Sequence, residues 1–418
     1  MYPAKGTVNL FTILKALIKL YINSYKGLSP AAWLLALVML INRTGSMVIP
    51  FLGIYMSSEL NFSKPQIGMV LGCFGLGSVC GSWLGGWLTD KFGNFKVQVW
   101  SQILVIPLFL VLPNFRTFEG LALMIFLLTL VADTFRPANS VSVARYAKPE
   151  NITRAYSLNR MAVNLGFSIG PALGGFLATI SYDWIFYGNA IAAGVAAVVF
   201  IYFFRNRKAR TEPKEYKKEQ FVEEGPVRNA YKDGLFIVFN ILCCFFSMAF
   251  FQLLSTLPLY YKEAHQLLPD QIGLLLGFSG FVIVLFEMIL VHVVEHRFSV
   301  RQIMFWGTAI AGVSYLMLPL GLGMTWLFLA MFMLSTGEML SLPFMATVSI
   351  SRASKSNQGA YMGFNSLAFA MANVFSAYLG TYIAEHYGYN TLWIGNGTVL
   401  MICAIGFYWI ISKMNKEV

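Results

Sequence analysis

The sequence predicts an all-α membrane protein, with twelve transmembrane helices in two pseudo-symmetric six-helix bundles. Three observations predict it. Only 12% of the 418 residues are charged, about half the 25% usual in soluble domains. The apolar residues, 57% of the chain, gather in twelve blocks near or above the roughly 20 residues that a helix needs to cross a bilayer. A ten-residue string near the start of the second block returns, little changed, near the start of the eighth.

The blocks cover 31–57, 66–89, 97–113, 119–145, 155–180, 184–204, 233–261, 271–294, 301–320, 325–350, 359–384 and 391–412. They are too long for barrel strands, so helices are expected. Before them, residues 1–30 form an arm in which Leu10, Leu14, Leu17 and Tyr21 share one helical face. Lys15, Lys19, Asn23 and Lys26 share another. That pattern predicts an amphipathic helix on the membrane surface, not a signal peptide. The net charge of +11 raises the possibility of nucleic acid, but its distribution argues against it. With the N-terminus inside, 24 of the 30 Lys and Arg fall in inner loops and tails. Only Lys64, Arg116 and Lys262 fall in outer loops. This is the positive-inside bias, and it predicts that both termini are cytoplasmic.

The polar segment 205–232, "RNRKARTEPKEYKKEQFVEEGPVRNAYK", divides the chain into bundles at 31–204 and 233–413. "QIGMVLGCFG" from Gln66 and "QIGLLLGFSG" from Gln271 match at six of ten positions, with an offset of 205. The same offset carries Tyr55 to Tyr260, Asp90 to Glu295 and Asp133 to Glu338. Internal repeats are a mark of secondary transporters, whose substrate sites lie between the repeats near the midplane.

Between spans two and three stands "GGWLTDKFGNFK", Gly85 to Lys96. It resembles the signature loop of the major facilitator superfamily at Gly86, Leu88, Asp90, Lys91 and Gly93. The basic pair that follows in the family is replaced by Asn94 and Phe95, with Lys96 one place late. The glycines permit a tight turn, and Asp90 can face a helix N-terminus or pair with Arg145. The resemblance implies that this contact latches the outward-open state. The second copy, "VEHRFSVR" from Val294, lacks the glycine, and either copy also reads as an ordinary charged turn.

The stretch "GFSIGPALGG" puts Gly166, Gly170 and Gly174 on one helix face, followed by Gly175, with Pro171 inside. In lipid such small residues permit close helix packing, and neighbours can satisfy the groups that a proline frees. The pattern also resembles the fifth-span signature of the superfamily's proton-coupled antiporters. The family's upstream glycine is replaced here by Leu158 or Asn159.

Ionisable side chains within spans are expensive and are functional candidates. Asp133 and Glu338 sit near the middle of spans four and ten. Arg136 is one helical turn from Asp133, and Arg43 is near the middle of span one. Glu287 falls in the inner half of span eight, and Arg160 in the inner part of span five. Each acid can carry a proton or serve as a static ion pair. Arg160 is expected to snorkel to the inner surface. His292 and His296 flank the inner end of span eight as relays or bystanders. The five cysteines, Cys73, Cys80, Cys243, Cys244 and Cys403, lie in spans without metal spacing or a disulfide framework.

The resemblance extends over residues 31–413. It implies two bundles around a central cavity worked by alternating access, with spans one, four, seven and ten lining it. On this reading Arg43, Arg136 and Gln252 are substrate or charge partners, and Asp133, Glu338 and Glu287 are proton-coupling groups. The function expected is proton-coupled export of small amphipathic or cationic compounds, a multidrug-type efflux. The alternative is proton-coupled import of a nutrient such as a peptide or an organic anion, which the arginines suit because they can clamp carboxylates. A non-transporting receptor or scaffold is a third class. The sequence shows no phosphate-binding loop, nucleotide domain or catalytic triad. The expectation is therefore no enzyme, no metal and no cofactor beyond the proton gradient. The expected partners are a small-molecule substrate, protons and the lipid bilayer, for a monomer in a bacterial inner membrane.

Overall fold

The computed structural model describes residues 27–148, 152–206, 229–353 and 358–415. The surface helix expected in the N-terminal arm and most of the central linker lie outside the described residues. Among the described residues, twelve spans are long and apolar enough to cross a membrane. They are Pro30–Ser58, Lys64–Phe92, Asn94–Asn114, Phe118–Tyr146, Arg154–Ile180, Asp183–Phe204, Gly234–Phe251, Pro269–Glu287, Val300–Leu320, Met324–Arg352, Tyr361–His386 and Gly388–Met414. With an even number of spans, both ends of the described chain emerge on one face, called here the termini face. Large apolar side chains such as Trp83, Tyr202 and Val198 point outward and form a lipid-facing belt.

The recurring string has the same physical work in both bundles. Gln66 Oε1 accepts from the Ser63 amide at 3.0 Å, and Gln271 Oε1 accepts from the Leu268 amide at 3.0 Å. Each satisfies an open N–H at a helix start. Ile67 and Ile272 are buried. The glycine that follows meets the other half of the molecule. A Cβ on Gly68 would lie 2.8 Å from Tyr378 Cα of span eleven, and one on Gly273 would lie 2.5 Å from the Pro171 carbonyl of span five. The repeat therefore encodes capping, core and inter-bundle contact in three consecutive residues.

Three spans are broken near mid-depth. Span one is the helix pair Pro30–Thr44 and Val48–Ser58. Span four is Phe118–Asp133 and Phe135–Tyr146. Gly234–Phe251 of span seven is followed by the short helix Leu257–His265. Pro50, Pro137 and Pro258 stand early in the second helix of each pair. A proline has no N–H to bond four residues back, so the ladder is interrupted where the second helix begins. Span ten carries Pro343 and remains one helix.

The bundles meet along two antiparallel pairs, spans two with eleven and spans five with eight. Gly68 packs against Ala377, Tyr378 and Thr381, and Gly75 against Asn373 and Val374. Continuing that register by three turns would bring Gly86 opposite Gly363. There neither glycine has a described heavy atom within 4 Å of its Cβ position. Spans two and eleven thus touch in the half away from the termini and diverge towards the termini face. Spans five and eight pack at the same two repeat positions, Gly273 on Gly175 and Gly280 on Ser168, and keep contact longer through Arg160 and Glu287.

The face opposite the termini is closed by polar contacts between bundles. Lys64 Nζ lies 3.1 Å from Glu263 and 3.7 Å from Glu385. It also stands over the Tyr389 ring at 4.8 Å, and Lys262 donates to Ser58. The molecule is shut on that face and splayed at the termini face.

Candidate transport site

Between the bundles lies a cavity of about 350 Å³, within the range of small-molecule sites. All four spans expected to line it contribute: one through Ile49, four through Arg136, seven through Phe250, Phe251 and Leu253–Ser255, and ten through Glu338. Spans two, five, eight and eleven contribute as well. Its walls are mainly apolar, with Phe74, Phe167, Phe250 and Phe251 among the larger side chains. Two ionisable groups line it from opposite bundles, Arg136 and Glu338.

Asp133 is the last residue of its helix and is buried, 6% exposed. Arg136 Nε lies 2.8 Å from Asp133 Oδ1, and Ser78 of span two donates to Oδ2. The break between Asp133 and Phe135 leaves the pair on adjoining helices, three residues apart and facing. Arg136 is 47% exposed, so its outer edge reaches the central cavity while its Nε holds Asp133. Glu338 has no such partner. Its Oε2 is shielded and makes no hydrogen bond among the described residues. Beside it, the Ser335–Ser279 hydrogen bond of 2.8 Å ties span ten to span eight.

Several expectations need correction. Gln252 does not line the cavity. It is 3% exposed and donates to the Ser376 carbonyl at 2.7 Å. It fills the place that a side chain on Gly380 would take. Arg160 has a side chain 54% exposed but is not a free surface cation. Its Nη2 is 2.6 Å from Glu287 Oε1, and Asn164 donates to Oε2 at 3.1 Å. This network joins span five to span eight across the bundle boundary, and Glu287 is held there as an ion pair. Arg145 does not meet Asp90. It donates to Asn94 Oδ1 at 3.1 Å, Asn94 donates to Ser142 at 2.6 Å, and Gln98 donates to Ser142 as well. The loop is anchored to span four through Asn94, where the family pattern has a basic residue. Asp90 is exposed and makes no ion pair among the described residues. Lys91 stacks on Trp87 at 4.8 Å, and Gly93 turns with φ +85. His292 and His296 are exposed at the termini face, with His296 Nδ1 2.8 Å from the His292 carbonyl.

The glycine face of span five packs on span one. Cβ atoms on Gly166, Gly170 and Gly174 would lie 2.4 Å from Arg43 Cβ, 3.1 Å from the Thr44 carbonyl and 2.6 Å from Met47 Cβ. Pro171 and Gly175 turn to span eight, where a Cβ on Gly175 would lie 2.4 Å from the Pro269 carbonyl. The glycines thus let span five lie against the broken part of span one.

One cluster escaped sequence reasoning. Asp233, at the start of span seven, caps Phe236 and takes Arg352 Nε at 2.8 Å and Tyr361 Oη at 3.0 Å. Both members of the ion pair have side chains 4% exposed. Burial alone raises the Asp233 pKa, but the bonds from Arg352, the Phe236 amide and Tyr361 outweigh it and hold the carboxyl below its ordinary value. The signal available was a single acid directly abutting an apolar block. Its partners lie 119 and 128 residues away, beyond any local pattern.

Comparison with known proteins places this architecture. The Major Facilitator Superfamily model matches residues 32–268 and 255–417. The uncharacterized MFS-type transporter YttB of Bacillus subtilis is 26% identical, over 88% of this chain and 92% of its own. The Na(+), Li(+), K(+)/H(+) antiporter of Planococcus maritimus is 22% identical, over 90% and 94%. The multidrug resistance protein MdtH of Yersinia enterocolitica is 23% identical, over 88% and 91%. The crystal structure of a POT family transporter in complex with 5-aminolevulinic acid superposes with a TM-score of 0.76, at 17% identity, over 92% and 96%. With twelve spans, an internal repeat and a cavity between two bundles, the chain belongs to the Major Facilitator Superfamily and is a membrane transporter, not an enzyme.

Proposed function

We propose that this transporter exports amphipathic cations in exchange for protons, by alternating access of the central cavity. The observation that carries the proposal is Glu338. It is the one carboxylate lining that cavity among the described residues, its Oε2 has no partner, and the surrounding wall is mainly apolar. An unpaired carboxylate in such a wall is costly, and either a proton or a cationic substrate relieves it. The two then compete for one group, which is the requirement for exchange. Asp133 has a second part, holding Arg136 at the opposite wall. The names of the antiporter and multidrug relatives agree with this reading.

The positive-inside bias supports a cytoplasmic termini face, and on that reading the splayed face is the cytoplasm-open side. The family resemblance assigns the Asp90 latch to the opposite state, and an unpaired Asp90 is consistent with that. A second reading rests on Arg136. Its guanidinium is 47% exposed and reaches the cavity, where it can meet a substrate carboxylate. That arrangement suits import of an anionic or zwitterionic nutrient.

Proteoliposomes separate the two. With an inside-acidic gradient and a trapped pH dye, lipophilic cations added outside should speed proton efflux, and Glu338→Gln should abolish the effect. If only peptides or organic anions move, fastest from an acidic outside, the import reading replaces export. Proton coupling unchanged in both Asp133→Asn and Glu338→Gln would remove the carboxylates from the mechanism.

A further inference from the structure

Arg43 carries its charge inside a span. It lies at mid-span, yet it makes no hydrogen bond and no ion pair among the described residues. Its Nε is buried without a partner. Its guanidinium carbon lies 5.8 Å from the Phe167 ring centroid, and it feels Asp133 and Arg136 only through space. Charged groups within spans are ordinarily paired, and a buried, uncompensated cation is strongly unfavourable. The nearest carboxylate, Asp133, is already taken by Arg136 and Ser78.

Arg43 lines a second cavity of about 90 Å³ in the N-terminal bundle, which adjoins the central one at Ile49, Phe74 and Arg136. Asn42, Ser46, Ser101, Gln102, Thr129 and Asn189 supply its polar lining, and Asp133 and Arg136 close one side. Two arginines and one carboxylate leave it with a net positive charge. Val48 and Ile49 also line it. They begin the 11-residue helix Val48–Ser58, which has no side-chain cap, so open N–H groups and the positive end of the helix dipole add to the field. Gln102 is 1% exposed, and its Oε1 has no partner, so the cavity also calls for a donor.

We infer that this chamber binds a small inorganic anion of chloride size, held by Arg43, Asn42 and Ser46 at the start of the second half of span one. The space admits one such ion together with water, and a water beside the ion can donate to Gln102. The chamber is far too small for a peptide or a drug-like cation, so the ion is not the transported substrate of the central cavity. It supplies the missing counter-charge of Arg43. It also secures the broken part of span one, on which Gly166, Gly170 and Gly174 pack.

The test uses purified full-length protein at fixed pH and ionic strength, with sodium chloride replaced stepwise by sodium gluconate. The unfolding temperature should rise saturably with chloride by several degrees. A crystal grown in bromide should show an anomalous peak within about 4 Å of the Arg43 guanidinium, an ion-pair distance. Arg43→Gln should remove the chloride dependence. Ser46→Ala, which keeps the charge, should raise the half-saturating chloride several-fold and keeps the test decisive if Arg43→Gln does not fold. An unfolding temperature indifferent to chloride, with no bromide peak, would mean that the chamber holds water alone and would overturn the inference. Neither readout depends on transport.

Discussion

Replacing Lys64 with Met should open the face opposite the termini. Among the described residues, Lys64 is the one cation there bonded to two carboxylates of the other bundle, at 3.1 Å to Glu263 and 3.7 Å to Glu385. The Glu385 side chain is 41% exposed, so solvent leaves that pair close to nothing. The Glu263 pair, with side chains 21% and 29% exposed, contributes about 0.5–1 kcal/mol after screening. The contact with Tyr389 contributes about 0.5–1 kcal/mol more. Together these bias closure by about 1–2 kcal/mol, or roughly 5- to 30-fold in the ratio of closed to open forms. Methionine keeps the apolar stem and removes both terms. The assay is pulsed electron spin resonance between labels at Asn114 and Tyr387, which lie at this face in different bundles, with the five native cysteines replaced. Lys64→Met should add a longer-distance population, and high salt should shift the parent protein part of the way. Identical distance distributions in parent and variant would refute the claim that these contacts hold the face shut.

Two further outcomes follow from packing and charge. Gly166→Val places methyl groups where a Cβ alone already meets Arg43 Cβ at 2.4 Å. It should cost about 1–3 kcal/mol and lower the unfolding temperature, whereas Gly86→Ala, which meets open space, should not lower it. Asp233 has its pKa depressed on balance, so its stabilising contribution is complete above the ordinary aspartate value of about 3.9 and is lost as pH falls through the lower folded value. The unfolding temperature of the parent should therefore drop on acidification below pH 4. Asp233→Asn should be destabilised by about 3–5 kcal/mol at neutral pH and show a flatter acid limb.

The spans were legible because their signal is local. A run of about twenty apolar residues has one physical solution in lipid, and the glycines at 166, 170 and 174 announced a face for close packing. The repeat at Gln66 and Gln271 was visible as a pattern, and its cause needed the structure: Gln caps, Ile buries and Gly meets the opposite bundle. Side-chain partnership across the chain was much less legible. Arg160 was legible as a surface-reaching residue but not as half of an ion pair, because its partner, Glu287, is 127 residues away. Asn94 looked like a degraded motif position and is the anchor that Arg145 uses. Gln252 lies at a break in span seven, a natural place for a cavity residue, and turns instead to the backbone of span eleven. Periodicity gives the face of a helix but not which neighbour that face meets.

The account's central claim is that one carboxylate, Glu338, is shared between proton and cation. The most direct measurement is proton release when a lipophilic cation such as tetraphenylphosphonium binds the purified protein in weakly buffered solution. The account predicts that protons appear with the binding isotherm, and that Glu338→Gln both weakens binding and abolishes the release. Binding with no proton release, or release undiminished in Glu338→Gln, would contradict it.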